Sequence, residues 1–261
     1  MTVERPLDAA LGRLAETPSL LVALDFDGNV SPHVDDPGGA RPLPEAARAI
    51  ERLSALPRTS VALVSGRAID SLVEVSGVGD DVLLSGSHGG EYRMEVGAPP
   101  LALSAEELDV VARLGAILHE VAADHPGTEV ESKPAGHALH LRNADEDTAL
   151  DAQHTVRRRV LAELPGITAR PGKDVEEFSV LAATKGDAIV RLRDHVGASA
   201  VFYSGDDLTD EDAFRVLVDG DVGVKVGAGD TLAPFRVPSP TEVAEVLVRL
   251  VELRGAAVLE R

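Results

Sequence analysis

Apolar residues along this chain fall into two rhythms. Short, nearly unbroken runs at 20–24, 60–64, 82–84, 199–203 and 222–226 suit strands buried on both faces of a parallel sheet. Between these runs the apolar positions take helical spacing. Leu7, Leu11 and Leu14 predict a short leading helix, and Ala46, Ile50 and Leu53 predict one over 44–56. A helical segment follows over 68–75, another is opened by Lys185 with Ile189, Leu192 and Val196 inward, and Val243, Val246, Leu247, Leu250 and Val251 mark a closing helix. Strand and helix in alternation predict an α/β fold, a Rossmann-like core built on a central parallel sheet.

From about 94 to 178 the rhythm changes. Leu108, Val111, Leu114, Leu118 and Val121 line one amphipathic helix, and a second is expected over 145–164. Short alternating strands are expected near 129–133, 138–142, 167–170 and 174–178. Paired strands beside two helices make an α+β module of their own. The expected organisation is a core over 1–93 and 179–261, with 94–178 inserted as a cap domain. The run Arg157-Arg158-Arg159 on the second cap helix reads as a solvated face.

Composition narrows the chemistry. The 261 residues carry a net charge of −19, which argues against nucleic acid and anionic membranes as partners, since both are bound through basic patches. Five Phe, two Tyr and no Trp leave an aliphatic core and little surface for stacking bases or sugars. The absence of Cys excludes disulfides, thiolate metal sites and cysteine nucleophiles. No run is long and apolar enough for a signal peptide or a membrane span, so a cytoplasmic location is expected; a monomer is expected as well. Of 25 Lys and Arg residues only four are Lys, at 133, 173, 185 and 225. In a chain that uses Arg for most surface cations, each of these Lys is either a chance survivor or a place that calls for a compact ammonium.

The strand ends hold the candidate chemistry, as expected for an open α/β sheet. Asp25 and Asp27 follow the first strand, and Gly28 permits a tight turn after them. Two close carboxylates suit a Mg²⁺ site, because that ion takes few carboxylates and favours phosphate oxygens. His33 lies in the following Pro- and Gly-rich loop and is expected to be solvated. The second strand ends in Ser65-Gly66-Arg67 before a helix, an arrangement able to hold phosphate, although a plain N-cap would look the same. His88 sits in a glycine-rich loop after the third strand. After 199–203 come five acids within 206–212, of which Asp210, Glu211 and Asp212 also suit the first turn of a helix. Asp206 and Asp207 then remain to be explained by a cation or by nearby Lys and Arg.

Asp25-Phe26-Asp27-Gly28, Ser65-Gly66-Arg67, Lys185-Gly186 and Gly205-Asp206-Asp207, in this order, resemble the haloacid dehalogenase (HAD) superfamily of aspartate-nucleophile phosphatases across the whole chain. His88-Gly-Gly-Glu91, Gly172-Lys-Asp-Val-Glu-Glu177 and Gly205-Asp-Asp-Leu-Thr-Asp-Glu-Asp-Ala-Phe214 narrow the resemblance to the trehalose-6-phosphate phosphatase family. Asn29 stands where that family usually has Thr, His33 where it usually has an apolar residue, and Ser87 where Asn is common. The resemblance implies hydrolysis of a sugar phosphate through an aspartyl phosphate on Asp25, with Asp27 as general acid and base. It implies Mg²⁺ on Asp25, Asp27 through its carbonyl, and Asp206, and phosphate held by Ser65, Gly66 and Lys185. It also implies substrate contacts from Arg67, His88, Glu131, Lys133, Arg142 and Glu177, and a cap that sets specificity. A phosphatase for another sugar phosphate, such as sucrose phosphate, and a receiver-type phosphate-binding domain are the alternatives; the latter would be about half this length.

Overall fold

A computed structural model describes residues 4–95, 102–172 and 174–259. The chain divides into two compact units, Met1–Ala98 with Ala183–Arg261, and Pro99–Ala182. The first unit opens with α1 (Arg5–Ala15), β1 (Leu20–Leu24), α2 (Pro44–Ser54), β2 (Thr59–Val64), α3 (Ile69–Ser76), β3 (Val82–Gly86) and β4 (Glu91–Arg93). The second consists of α4 (Ala105–Asp124), β5 (Glu129–Lys133), β6 (Gly136–His140), α5 (Glu146–Glu163), β7 (Thr168–Gly172) and β8 (Val175–Ser179). The first unit then resumes with α6 (Lys185–Val196), β9 (Ala200–Gly205), α7 (Asp210–Arg215), β10 (Val222–Val226), β11 (Phe235–Val237) and α8 (Pro240–Leu259). Among the described residues no helix is long and apolar enough to cross a membrane.

The large sheet runs β11-β10-β9-β1-β2-β3-β4 and is parallel except for β4, which pairs antiparallel with β3. β1 lies between β2 and β9, and all five of its residues are buried. Side-chain alternation explains why the run is continuous: Leu20, Val22 and Leu24 face one core with α1, α2 and α8, while Leu21 and Ala23 face another with α6. β4 and β11 have three residues each, too few to leave a periodic signal in the sequence. At the opposite edge from the acidic strand ends, the fully buried guanidinium of Arg254 on α8 donates to the carbonyls of Ala15, Thr17 and Arg58 and to Thr59 Oγ1. The closing helix is thereby fastened to the start of β1 and β2.

The second unit is an antiparallel sheet, β5-β6-β8-β7, with α4 and α5 on one face. Leu114, Leu118 and Val121 of α4 and Val156 and Val160 of α5 bury against Leu139 and Phe178. Glu176 points the same way and is fully buried, where it accepts from Arg157 Nη1 at 2.5 Å and from Gln153 Nε2 at 3.0 Å. This corrects the reading of the arginine run: Arg157 neutralises a buried carboxylate, which would be costly to leave alone. Arg159 pairs with Glu120 and Glu163.

His125, at the end of α4, contacts the Val121 carbonyl through Nδ1 at 2.6 Å and Asp151 Oδ2 through Nε2 at 3.0 Å. Two acceptors require two N–H groups, so the imidazolium is favoured; the Val121 carbonyl is the main cause and Asp151 adds to it, lifting the pKa from 6.5. A raised pKa stabilises the fold below 6.5 and that contribution is lost as pH rises through the folded value. The melting temperature is therefore expected to fall between pH 6 and pH 8, and to fall less in His125→Gln. Equal slopes in the two proteins would remove this role.

Candidate active site

The carboxyl ends of β1, β2, β3 and β9 gather most of the candidate residues. Asp25 extends β1 by donating its amide to the Ser204 carbonyl of the β9 end at 2.9 Å, and its carboxylate is buried. The turn that follows depends on Gly28 at φ +75°, where a Cβ would sit 2.2 Å from Asp206 Oδ2. Asn29, also buried, donates Nδ2 to the Asp25 carbonyl at 2.9 Å, while its Oδ1 is buried without a donor. Asn29→Thr removes that orphaned oxygen and keeps one hydroxyl donor. It is expected to raise stability by about 1 kcal/mol, read as a higher urea midpoint, with turnover equal or up to about fivefold higher. A lower midpoint would show that the Nδ2 bond to Asp25 outweighs the orphan.

Lys185 stands at the first turn of α6, set there by Thr184, whose side chain forms a reciprocal capping box with Asp187. Its ammonium is buried, 2.9 Å from Asp25 Oδ1, 2.7 Å from Asp210 Oδ1 and 3.7 Å from Asp207 Oδ1. Tyr203 of β9 also donates to Asp210 Oδ1, at 2.6 Å, and the Asp207 amide donates to Asp210 Oδ2 at 2.8 Å. Gly205 makes this fold-back possible, because a Cβ there would lie 2.2 Å from Asp210 Cγ. Burial pushes the Asp25 carboxyl well above its ordinary range; Lys185 opposes that, while Asp210, Asp206 and Asp207 reinforce it. Burial alone would lower the Lys185 pKa, but Asp207, Asp210 and Asp25 outweigh it and keep the ammonium charged. Asp207 keeps about half of its side chain accessible, and Lys185 with the hydrogen bonds from Thr209 and Asp210 holds it below the usual carboxylate range.

The other strand ends complete the edge. Ser65 is buried, and its Oγ accepts from the Arg67 amide at 3.1 Å. The N-cap position of α3 is Ala68, so Ser65 shapes a turn ahead of the helix and does not cap it. Arg67 grips Asp27 with both arms, Nε to Oδ2 at 2.6 Å and Nη2 to Oδ1 at 2.7 Å, and lies over the Phe26 ring. Ser87 and His88 take φ of 49° and 56°, a left-handed turn that brings the His88 ring against Gly66, where a Cβ would be 2.5 Å away. Gly89 approaches the Thr184 carbonyl so closely that a Cβ would lie 2.5 Å from it, which packs this loop on the start of α6.

In the second unit Glu131, Lys133 and Glu177 share the sheet face that α4 and α5 leave uncovered, since the opposite residues Val130, Leu139 and Phe178 enter the core. Lys133 Nζ donates to Glu177 Oε1 at 2.6 Å, and His140 Nε2 contacts Glu131 Oε2 at 2.8 Å. Arg142 is exposed in the turn after β6, and Lys173 lies outside the described residues.

The cluster also contains residues that sequence reasoning passed over. Asp210 is fully buried and, with Asp25 and Asp206, offers carboxylate oxygens all within 4.8 Å of one another, a group able to hold a metal ion. Lys225 on β10 is buried and donates to the carbonyls of Asp206 and Asp207, fixing the acidic loop. Scarcity of lysine was the available signal for Lys225; for Asp210 the helix-start explanation hid it. His33, expected in solvent, places Nε2 at 2.9 Å from Asp206 Oδ2. The Asp27 carboxylate is held by Arg67 and lies outside the acid trio.

A parallel sheet with these acids and this lysine at its carboxyl edge, interrupted by an α+β unit, defines a protein of the haloacid dehalogenase type. The chain belongs to the trehalose-phosphatase family, whose model matches residues 23–240. It is 34% identical over 252 residues to a bifunctional trehalose-6-phosphate synthase/phosphatase of Thermoproteus tenax, covering 90% of this chain and 32% of that protein. A trehalose-phosphate phosphatase of Mycobacterium avium is 34% identical over 246 residues, 88% of this chain and 62% of that one. The chain thus spans about a third and under two thirds of these relatives. The C-terminal domain of C. albicans trehalose-6-phosphate phosphatase has the same fold, with TM-score 0.83 over 97% of this chain and 98% of that one at 24% identity.

Proposed function

We propose that the chain is a Mg²⁺-dependent phosphatase that converts trehalose 6-phosphate to trehalose and phosphate. The observation that carries this reading is the buried Lys185 ammonium between Asp25 and Asp210 at the sheet's carboxyl edge, 2.9 and 2.7 Å from them. Names borne by relatives point to the same substrate. Mg²⁺ fits the residues present: the donors are hard oxygens, and Asp206 Oδ1 is buried with no donor of its own. Asp25, Asp206 and the Asp27 carbonyl would hold it, with Asp210, already engaged by Lys185 and Tyr203, supporting them. When bound, the ion would keep Asp25 ionised and offset its repulsion from the phosphate.

Asp25 attacks phosphorus and the sugar oxygen leaves, so one difficult displacement becomes two easier ones through an aspartyl phosphate. Asp27 protonates the leaving oxygen and then takes a proton from the water that hydrolyses the intermediate, for which Arg67 must release its carboxylate. Ser65, the Gly66 amide and Lys185 hold the phosphate oxygens, and Arg67, His88 and Arg142 bind substrate. Phosphate release from trehalose 6-phosphate, compared with sucrose phosphate and other sugar phosphates with and without Mg²⁺, tests the reading. Preference for another sugar phosphate overturns the substrate, and release that ignores Mg²⁺ overturns the cofactor.

Glu131, Lys133 and Glu177 are proposed to bind the sugar hydroxyls, where carboxylates accept and an ammonium donates. Lys133→Ala, Glu131→Ala and Glu177→Ala are each expected to lower kcat/KM for trehalose 6-phosphate by about tenfold or more, about 1.4 kcal/mol. Hydrolysis of p-nitrophenyl phosphate should change little, because the lost contacts are remote from phosphorus. Equal loss of both activities would point to folding and remove these residues from substrate recognition.

A further inference from the structure

We infer that His33 is a positioning residue for Asp206, turning that carboxylate so that its buried Oδ1 faces the cation. The inference rests on the Mg²⁺ reading above and adds a residue to it. His33 Nε2 lies 2.9 Å from Asp206 Oδ2 although the two are 173 residues apart in sequence. The contact passes through space that only a glycine leaves open: a Cβ on Gly28 would be 2.2 Å from Asp206 Oδ2 and 2.6 Å from His33 Nε2. Gly28 therefore serves the turn and this contact together.

The two oxygens of Asp206 are divided by the arrangement. Oδ2 is engaged by His33, whereas Oδ1 is buried and accepts from no donor. An orphaned buried carboxylate oxygen carries a desolvation cost that a cation offsets. Lys225 holds the Asp206 carbonyl and so fixes the backbone, but it leaves the side-chain torsion to His33. An ionised carboxylate can only accept, so the hydrogen resides on His33 Nε2, and that nitrogen is not available as a metal ligand. Its effect is to orient a ligand, and such outer partners typically alter metal affinity by about 10–100-fold. His33 is itself exposed, with 67% of its side chain accessible, so its removal leaves no core cavity.

The test is calorimetric titration of Mg²⁺ onto the full chain without substrate, for wild type, His33→Ala, His33→Phe and His33→Gln, with circular dichroism to verify folding. His33→Ala and His33→Phe should bind Mg²⁺ about tenfold more weakly, while His33→Gln, whose amide can donate to Oδ2, should stay within about threefold of wild type. Turnover should show the same division, with the Mg²⁺ concentration for half-maximal rate raised and kcat at saturating Mg²⁺ unchanged. Wild-type affinity in His33→Ala overturns the inference alone. Wild-type affinity in His33→Phe overturns the hydrogen bond as its agent. A wild-type protein that takes up no Mg²⁺ overturns the metal reading and the inference with it.

Discussion

Asp25→Asn should abolish turnover, lowering kcat by at least about 10³-fold, the scale on which loss of a nucleophile is felt. An amide is a poor nucleophile and also a weak ligand for a divalent cation, so chemistry and metal binding fail together. Folding should survive. Asp25 is buried beside Asp206, Asp207 and Asp210, and replacing one carboxylate by a neutral group of the same shape relieves repulsion among them. The expected pattern is an inactive protein with an unchanged or higher urea midpoint. More than a few per cent of wild-type turnover, measured as phosphate release, would take the nucleophile role away from Asp25.

Lys185→Met should have the opposite signature, losing stability as well as turnover. The ammonium is 1% exposed and sits within 4 Å of three carboxylates, at 2.7, 2.9 and 3.7 Å. Met matches the length of the stem but leaves Asp25 and Asp210 buried without their counter-charge. Breaking a buried pair from one side costs about 3–5 kcal/mol, here read as a fall in the urea midpoint. The deficit should be smaller at pH 5 than at pH 7.5. Without the ammonium the buried acids take up protons, their folded pKa values lie above the unfolded ones, and stability then declines as pH rises. A stable Lys185→Met protein at pH 7.5 would mean that the acids are neutralised by something other than this lysine.

The core was legible in the sequence because its strands are buried on both faces, so their apolar runs are unbroken and each points to a strand end. Asp25, Ser65 and Asp206 could be read from those ends, and Lys185 from the start of a helix. Asp210 could not, since an acid at the first position of α7 already has an explanation in the helix dipole. Only the missing side chain of Gly205, which lets Asp210 fold back beneath Lys185, reveals its place. Arg157 was misread for a related reason: periodicity puts it on a helix surface, but the charge beneath it, Glu176, belongs to β8 and is distant in sequence. His33 likewise acquires its partner through a loop conformation that no local pattern encodes. β4 and β11 were too short to register.

The place of β1 in the sheet has a consequence for synthesis. β1 pairs on one side with β2, which follows it closely, and on the other with β9, in register from Leu20 opposite Ala200 to Leu24 opposite Ser204. A ribosome that has reached Ala182 has delivered Asp25, Asp27 and Ser65 and the whole of the second unit, but neither Lys185 nor the acidic loop. Loop closure over such a span is slow to be rewarded, so the central pairing is a late event in folding. The nascent chain therefore holds Asp25 beside an unfilled sheet edge, and Lys185, the acidic loop and the α8 fastening through Arg254 are all made after the second unit.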